Sequence, residues 1–351
     1  MGSVTAGFQS ETPLHSAASA FLLDAFDRGW ADPSKITGES RKAAILQNES
    51  KEIFSSHLGL RVDQVEFLAD PEIGFHLGIS GLLGPGSNLY YSAVDRSEVY
   101  AVAQSVVSQQ LAVGIDGSSD YPTADPTDVL AWQSANGETG IITPKPDNFH
   151  GRVFVDATAS GSLLELPENW STSLWNSRTW QGPAGLGIFA VADRSIWRSP
   201  LPQTNNAISS SNYSPPLAMA SAIALEAFHR EYQERQFALT AMGAKIRDFL
   251  LTEISSVDVA GTLDSTLPHL LSFSFLYVDA QMLVRELDRR GFAIDSGSAC
   301  NSSNMEPSHV LAAMGLLTHG NVRLTLQPQT TEEQVDQLLV AIKDVVLELR
   351  S

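Results

Sequence analysis

Asp295-Ser296-Gly297-Ser298-Ala299-Cys300-Asn301-Ser302-Ser303-Asn304 holds the sole cysteine of the chain, and Met305, Glu306, Pro307, Ser308 and His309 follow it. A thiol set among Gly, Ser and Asn belongs to a polar loop, where its thiolate can reach a partner. A lone cysteine is ordinarily a small buried hydrophobe, so it is the loop's composition that turns the reading toward chemistry. One cysteine forms neither an internal disulfide nor a multi-thiolate metal site.

Short apolar runs and helical periodicities alternate on both sides of this loop. C-terminal to residue 250 the pattern predicts strands over 270–276, 292–294 and 322–326. Helices are predicted over 279–290, 307–314 and 331–349, the last opened by Thr331 with Glu332 and Glu333 behind it, a cap and early carboxylates suited to a helix start. Toward the N-terminus, helices are predicted over 16–26 and 38–58 and buried strands over 89–93, 111–115, 153–155 and 186–191. The longest helical stretch covers 214–251 and is led by Pro215 and Pro216, which suit a helix start. Alternation of this kind is the pattern of an α/β protein. The polar loop at 201–212 ends in a Ser-rich stretch, and no low-complexity segment separates domains.

The 351 residues are 43% hydrophobic and 18% charged, which supports a large core and excludes global disorder. No apolar run approaches the roughly 20 residues of a membrane helix, and the first twelve residues lack a signal peptide's basic start and apolar stretch; a cytoplasmic protein without membrane contact is expected. A net charge of −18 opposes binding to nucleic acid, whose phosphates require a basic patch. Lysines occur only at 35, 42, 51, 145, 245 and 343. The histidines, including His57, His76, His150, His229, His269 and His319, show no spacing that suggests a metal site, and none is expected. His309, beside the cysteine loop, is read first as part of a helix start and second as a group that tunes the thiol.

The run Ser296-Gly297-Ser298-Ala299-Cys300, followed by Pro307-Ser308-His309-Val310-Leu311 and Met314-Gly315, closely resembles the active loop of cysteine desulfurases, members of the class V aminotransferase family of pyridoxal phosphate (PLP) enzymes. Asn321-Val322-Arg323-Leu324-Thr325-Leu326 and Thr330-Thr331-Glu332-Glu333 continue it in register. Upstream, Thr12-Pro13-Leu14-His15, residues 29–33, Val155-Asp156-Ala157-Thr158 and Gly182-Pro183-Ala184-Gly185-Leu186-Gly187 fit in the expected order. The resemblance covers nearly the whole chain. It implies the PLP-dependent transferase fold type I, with a mostly parallel seven-stranded sheet in a large domain (16–251), a smaller α+β C-terminal domain (252–351) and an N-terminal segment (1–15) packing with the latter. It further implies a homodimer and PLP as the family cofactor. Carried over by position, Cys300 is the sulfur acceptor, Arg323 the fork for the substrate carboxylate, Asn136 a substrate-side residue and Asp156 the carboxylate under the pyridinium nitrogen.

The same frame shows departures. In the family a His-Lys pair precedes the Gly-Pro-x-Gly turn; here Arg178 and Thr179 stand there, followed by Trp180, Gln181 and Gly182. A hydroxyl forms no imine, and a guanidinium is a very poor nucleophile. The phosphate-binding Gly-Ala-Thr turn corresponds to Asp70-Pro71-Glu72, the ring-stacking histidine to Arg96, the asparagine pair to Asn136-Gly137, a glutamine to Ala159, and the cross-dimer phosphate loop to Ser209-Ser210-Ser211-Asn212. Asp156 is then a vestige of the cofactor site or an ordinary strand-end cap.

Three functions are expected to compete. The first is a desulfurase-like protein without covalent PLP, serving as a scaffold or regulator, with an active desulfurase as a candidate partner. The second is a sulfur carrier that takes persulfide sulfur on Cys300 from another protein and passes it to an acceptor protein. The third is a PLP-dependent cysteine desulfurase converting L-cysteine to L-alanine and enzyme persulfide, with PLP held noncovalently; it lacks a group to replace the lysine amine in proton transfer.

Overall fold

The computed structural model describes residues 6–202, 213–297 and 307–351. In chain order its strands are β1 (Ala6–Phe8), β2 (Val65–Leu68), β3 (Leu89–Ser92), β4 (Ser108–Leu111), β5 (Val129–Gln133), β6 (Arg152–Asp156), β7 (Trp170–Asn176), β8 (Gly187–Val191), β9 (Val257–Val259), β10 (Leu270–Phe275), β11 (Phe292–Ser296) and β12 (Asn321–Thr325). Its helices are α1 (Ser16–Gly29), α2 (Gly38–Leu58), α3 (Ile73–Ser80), α4 (Ser97–Ala103), α5 (Pro215–Glu253), α6 (Ala280–Arg289), α7 (His309–Ala313) and α8 (Glu332–Arg350).

A seven-stranded sheet runs in the order β2-β8-β7-β6-β5-β3-β4, and a five-stranded sheet in the order β1-β11-β12-β10-β9. In the first, β4, β3, β5, β6 and β7 pair in parallel, while β8 runs antiparallel to both its neighbours. This is the mostly parallel sheet expected of fold type I. Strands β5 and β8 are buried along their whole length, as befits strands covered on both faces. The period of two divides β6 between two cores: Val153 and Val155 join Phe54, Phe67, Trp175 and Trp180 on the side of α1, α2 and α5, while Phe154 joins Phe75, Leu174 and Phe189 under α3. Helix α3 lies so close to the sheet that a Cβ on Gly78 would stand 2.4 Å from the Phe154 ring.

Helix α5 spans 39 residues. It starts at Ser214, whose side chain accepts the Leu217 amide at 3.5 Å, with Pro215 and Pro216 where their missing N–H groups are not needed. Its C-terminal half reaches the second sheet, where buried Arg247 donates to the carbonyls of Ala260 and Gly261 and to the Thr266 hydroxyl. That sheet recruits β1 from the N-terminus, parallel to β11. Asp279 caps α6, and Thr331 caps α8 in a reciprocal bond with Gln334.

One expected strand is displaced. The run 111–115 predicts a strand, yet the observed strand covers 108–111 and ends where the predicted one begins. As an edge strand it pairs only with β3 and exposes Ser108, Gln109 and Gln110, so it carries no apolar signal. The chain beyond turns off at Gly114, whose amide and carbonyl close a turn through Ser118 and Gly117.

Candidate functional site

The site lies where the parallel strands end, the usual crevice of an open α/β sheet. Strand β6 delivers Asp156, 5% exposed, whose Oδ1 accepts from the Thr158 amide at 2.8 Å and the Thr158 hydroxyl at 2.6 Å. The same hydroxyl accepts from Arg96 Nη1 at 3.0 Å, so Arg96, Thr158 and Asp156 form a hydrogen-bonded relay. Desolvation raises the Asp156 pKa, opposed by the charge of Arg96. Arg96 precedes α4 and lies 5.9 Å from the Phe75 ring centroid. Asp95 beside it is also buried and accepts the Ser92 amide at 2.6 Å; desolvation pushes its pKa well above the ordinary carboxylate value, and Asp156 adds to the rise.

The turn after β5 supplies Asn136. Its Oδ1 accepts the amides of Glu138 and Thr139, each at 2.9 Å, and its amide nitrogen donates to the Val94 carbonyl and to Gln133, each at 3.2 Å. The side chain thereby fixes the turn on which Gly137 is exposed. From the second sheet, Arg323 of β12 reaches across, its Nη1 3.5 Å from the Gly137 carbonyl and its Nη2 donating to the Ser296 carbonyl at 3.1 Å. After β7, a 3-10 turn (Ser177–Trp180) carries Arg178, exposed and paired with Glu11 at 2.8 Å, and Thr179, half-buried with its hydroxyl donating to the Asn176 carbonyl. The turn closes on Gln181 at φ 59°, in the left-handed region.

These residues border two adjoining clefts of about 350 and 220 Å³. Arg96, Gly137, Ala159 and Arg323 line both; Arg178 and Thr179 line the larger, Asn136, Asp156 and His309 the smaller. Arg323, Asn136, Asp156, Arg178, Arg96 and Thr179 are therefore assembled in one place from elements up to 227 residues apart. Cys300 and the 209–212 stretch lie outside the described residues. His309 opens α7 behind the Ser308 cap, its Nε2 2.9 Å from the Asp95 carbonyl.

Among the described residues no lysine lines either cleft. Lys42, Lys51, Lys245 and Lys343 pair with Glu39, Glu66, Asp336 and Glu253, and Lys35 and Lys145 are exposed. The start of α3 offers few free donors: Pro71 has no N–H, the Glu72 amide donates to Asp70 Oδ1 at 2.9 Å, and the Gly74 and Phe75 amides donate to the Pro71 and Glu72 carbonyls.

Two features have no counterpart in sequence spacing. His269 lines the larger cleft with a buried, unpartnered Nδ1, and desolvation lowers its pKa to about 4. His57 and His229, 172 positions apart, bring their rings to 5.0 Å between centroids at a separate cavity. Only the packing of α2 on α5 makes that pair, so no local pattern announces it. Among the described residues no group of three potential metal ligands occurs, and no helix is long and apolar enough to cross a membrane.

The aminotransferase class-V family matches residues 216–338. A cysteine desulfurase of Trichormus azollae is 30% identical over 348 residues, spanning 90% of this chain and 82% of that protein. Among solved structures, one titled NifS-like protein superposes with a TM-score of 0.84 at 18% identity, covering 97% of this chain and 99% of its own. A NifS-like protein from Rickettsia africae does so with a TM-score of 0.81 at 14% identity, covering 97% and 98%. With fold, chain-long similarity and strand-end crevice in agreement, the chain belongs to the cysteine desulfurase family of class V aminotransferases.

Proposed function

We propose that this chain is a cysteine desulfurase-like protein that forms no imine with PLP, with Thr179 in the place of the Schiff-base lysine, and that it works as a homodimeric cytoplasmic scaffold or regulator. The observation that carries this reading is the absence of any lysine from the clefts that hold Asp156, Arg323 and Thr179. The residues do not fit PLP as the family holds it: Thr179 offers a hydroxyl bonded to Asn176, Arg96 stands where a ring would stack, and the start of α3 presents Asp70 and Glu72 where a phosphate would need free amides. Asp156 alone suits a pyridinium. The large unit is taken as 16–251 and the small one as 252–351 with 1–15 packed against it, a division that the pairing of β1 with β11 supports. An absorbance scan of the purified protein with added PLP, coupled to an assay for alanine release from L-cysteine, tests it. A colourless protein without alanine is expected; a band near the aldimine wavelength that borohydride fixes covalently overturns it.

A second reading rests on the cysteine loop itself. Cys300 as thiolate attacks the outer sulfur of a donor persulfide, the donor thiolate leaves, and Cys300 becomes the persulfide with no net oxidation. An active desulfurase would be the donor and a sulfur-acceptor protein the recipient. Incubation with a persulfide donor followed by mass spectrometry should add one sulfur to Cys300, and a thiol inert to donor and alkylating reagents alike would exclude it. Activity as a cysteine desulfurase, the function in the relatives' names, would need for PLP chemistry an amine that the described residues of these clefts do not provide.

A further inference from the structure

We propose that the larger cleft binds a small dicarboxylate, held by two arginine forks. The resemblance offers one fork, Arg323; the second, Arg178 assisted by Arg96, is this chain's own. In a chain of net charge −18, three arginines from three different elements line a single cleft of about 350 Å³: Arg96 before α4, Arg178 after β7 and Arg323 on β12. Their existing partners leave donors over. Arg96 makes one hydrogen bond, to the Thr158 hydroxyl at 3.0 Å, with the Glu98 carboxylate at 3.8 Å. Arg323 holds the Gly137 carbonyl only at 3.5 Å, donates to the Ser296 carbonyl, and has no carboxylate partner among the described residues.

Arg178 shows what such a site accepts. Its guanidinium holds the carboxylate of Glu11 at 2.8 Å, and Glu11, 68% exposed, also lines the cleft. Glu11 is a surface group on the segment between β1 and α1, so a soluble carboxylate can displace it. Planar guanidinium forks match planar carboxylates. Asp156 and Asp95 are buried at the adjoining smaller cleft and do not line the larger one. One carboxylate for Arg178 and a second for Arg323, both of which line the larger cleft, make a dicarboxylate the matching ligand.

The inference rests on the reading that no imine-bound PLP fills the cleft, and the test separates the two. Isothermal titration of the whole protein with succinate, glutarate, butyrate and inorganic phosphate is expected to give binding of one dicarboxylate at least about 10-fold tighter than butyrate or phosphate. Each of Arg178→Gln and Arg323→Gln should weaken it about 10-fold or more, and Glu11→Gln, which removes an internal competitor at an exposed position, should tighten it. Dicarboxylates no tighter than butyrate, tighter phosphate, or indifference to Arg178→Gln or Glu11→Gln would overturn it. A colourless protein with no dicarboxylate binding removes this inference alone; a reducible PLP imine removes the reading beneath it.

Discussion

A lysine placed at position 179 would separate a missing amine from a missing cofactor site. Thr179 is half-buried, and its hydroxyl donates to the Asn176 carbonyl. Thr179→Lys removes that bond at a cost of about 1 kcal/mol, small against the roughly 5–15 kcal/mol of a folded domain, so the variant folds. The amine alone rebuilds little. At the start of α3, Pro71 has no N–H, the Glu72 amide is held by Asp70 Oδ1, and the next two assigned amides are used within the turn. A phosphate there meets two carboxylates, each worth roughly 4 kcal/mol of repulsion at about 4 Å and an effective dielectric near 20 before screening. One such pair is about three decades of affinity. Thr179→Lys is therefore expected to show no aldimine absorbance with added PLP and no alanine from L-cysteine, with its circular dichroism unchanged. Adding Asp70→Gly, Pro71→Ala and Glu72→Thr should bring the absorbance band without fast turnover, because on the proposed reading Arg96 stands in place of the ring-stacking histidine. Yellow colour and alanine release from Thr179→Lys alone would refute the reasoning.

His269 is neutral in the fold with its pKa lowered to about 4, and protonates near 6.5 when unfolded; its contribution is complete above pH 6.5 and is lost as pH falls toward 4, by about 3 kcal/mol, which urea unfolding at a series of pH values will register and His269→Phe will flatten. Asp95 has the opposite sign: a folded pKa above the unfolded one stabilises at low pH and is lost as pH rises, so Asp95→Asn should raise the melting temperature at pH 7, and an unchanged or lower value would count against it. Arg247→Met leaves two carbonyls and a hydroxyl without donors inside the junction of α5 with the 260–266 segment, an expected loss of about 2–4 kcal/mol by thermal unfolding; a loss below about 0.5 kcal/mol would show that water replaces the guanidinium.

Most of the long elements were legible because their signals are local. Helix α2 begins and ends at the predicted 38 and 58, since Thr37 caps one end and Gly59, at φ 67°, closes the other. What escaped is explained by packing. Helix α3 is short and carries Gly74 and Gly78, which read as breakers, yet both are there to let the helix approach Leu174 and Phe154. Strand β7 hides behind Ser171, Thr172 and Ser173, which look like loop residues; each is buried with its hydroxyl bonded to a neighbouring backbone group. Polar residues satisfied by the backbone carry no pattern that distinguishes them from exposed ones.

In the candidate site, the residues that match the family and those that depart from it divide along a physical line. Asp156 accepts two hydrogen bonds from Thr158, Asn136 holds the turn at 136–139, Arg323 ties that turn to the end of β11, and His309 ties α7 to the Asp95 carbonyl. Each has an architectural task that persists without any cofactor, because removing it leaves buried donors or acceptors unpaired. A lysine at 179, a stacking histidine at 96 and small residues at 70–72 have no such task; their value lies in the cofactor. If, as proposed, imine chemistry is not required, burial retains the first group while the second is free to change, and arginine at 96 and 178 fits that reading. On the proposed reading the site keeps its shape and Arg323 while its aldehyde partner gives way to anion forks, so ligand binding rather than turnover is the measurement that tests it.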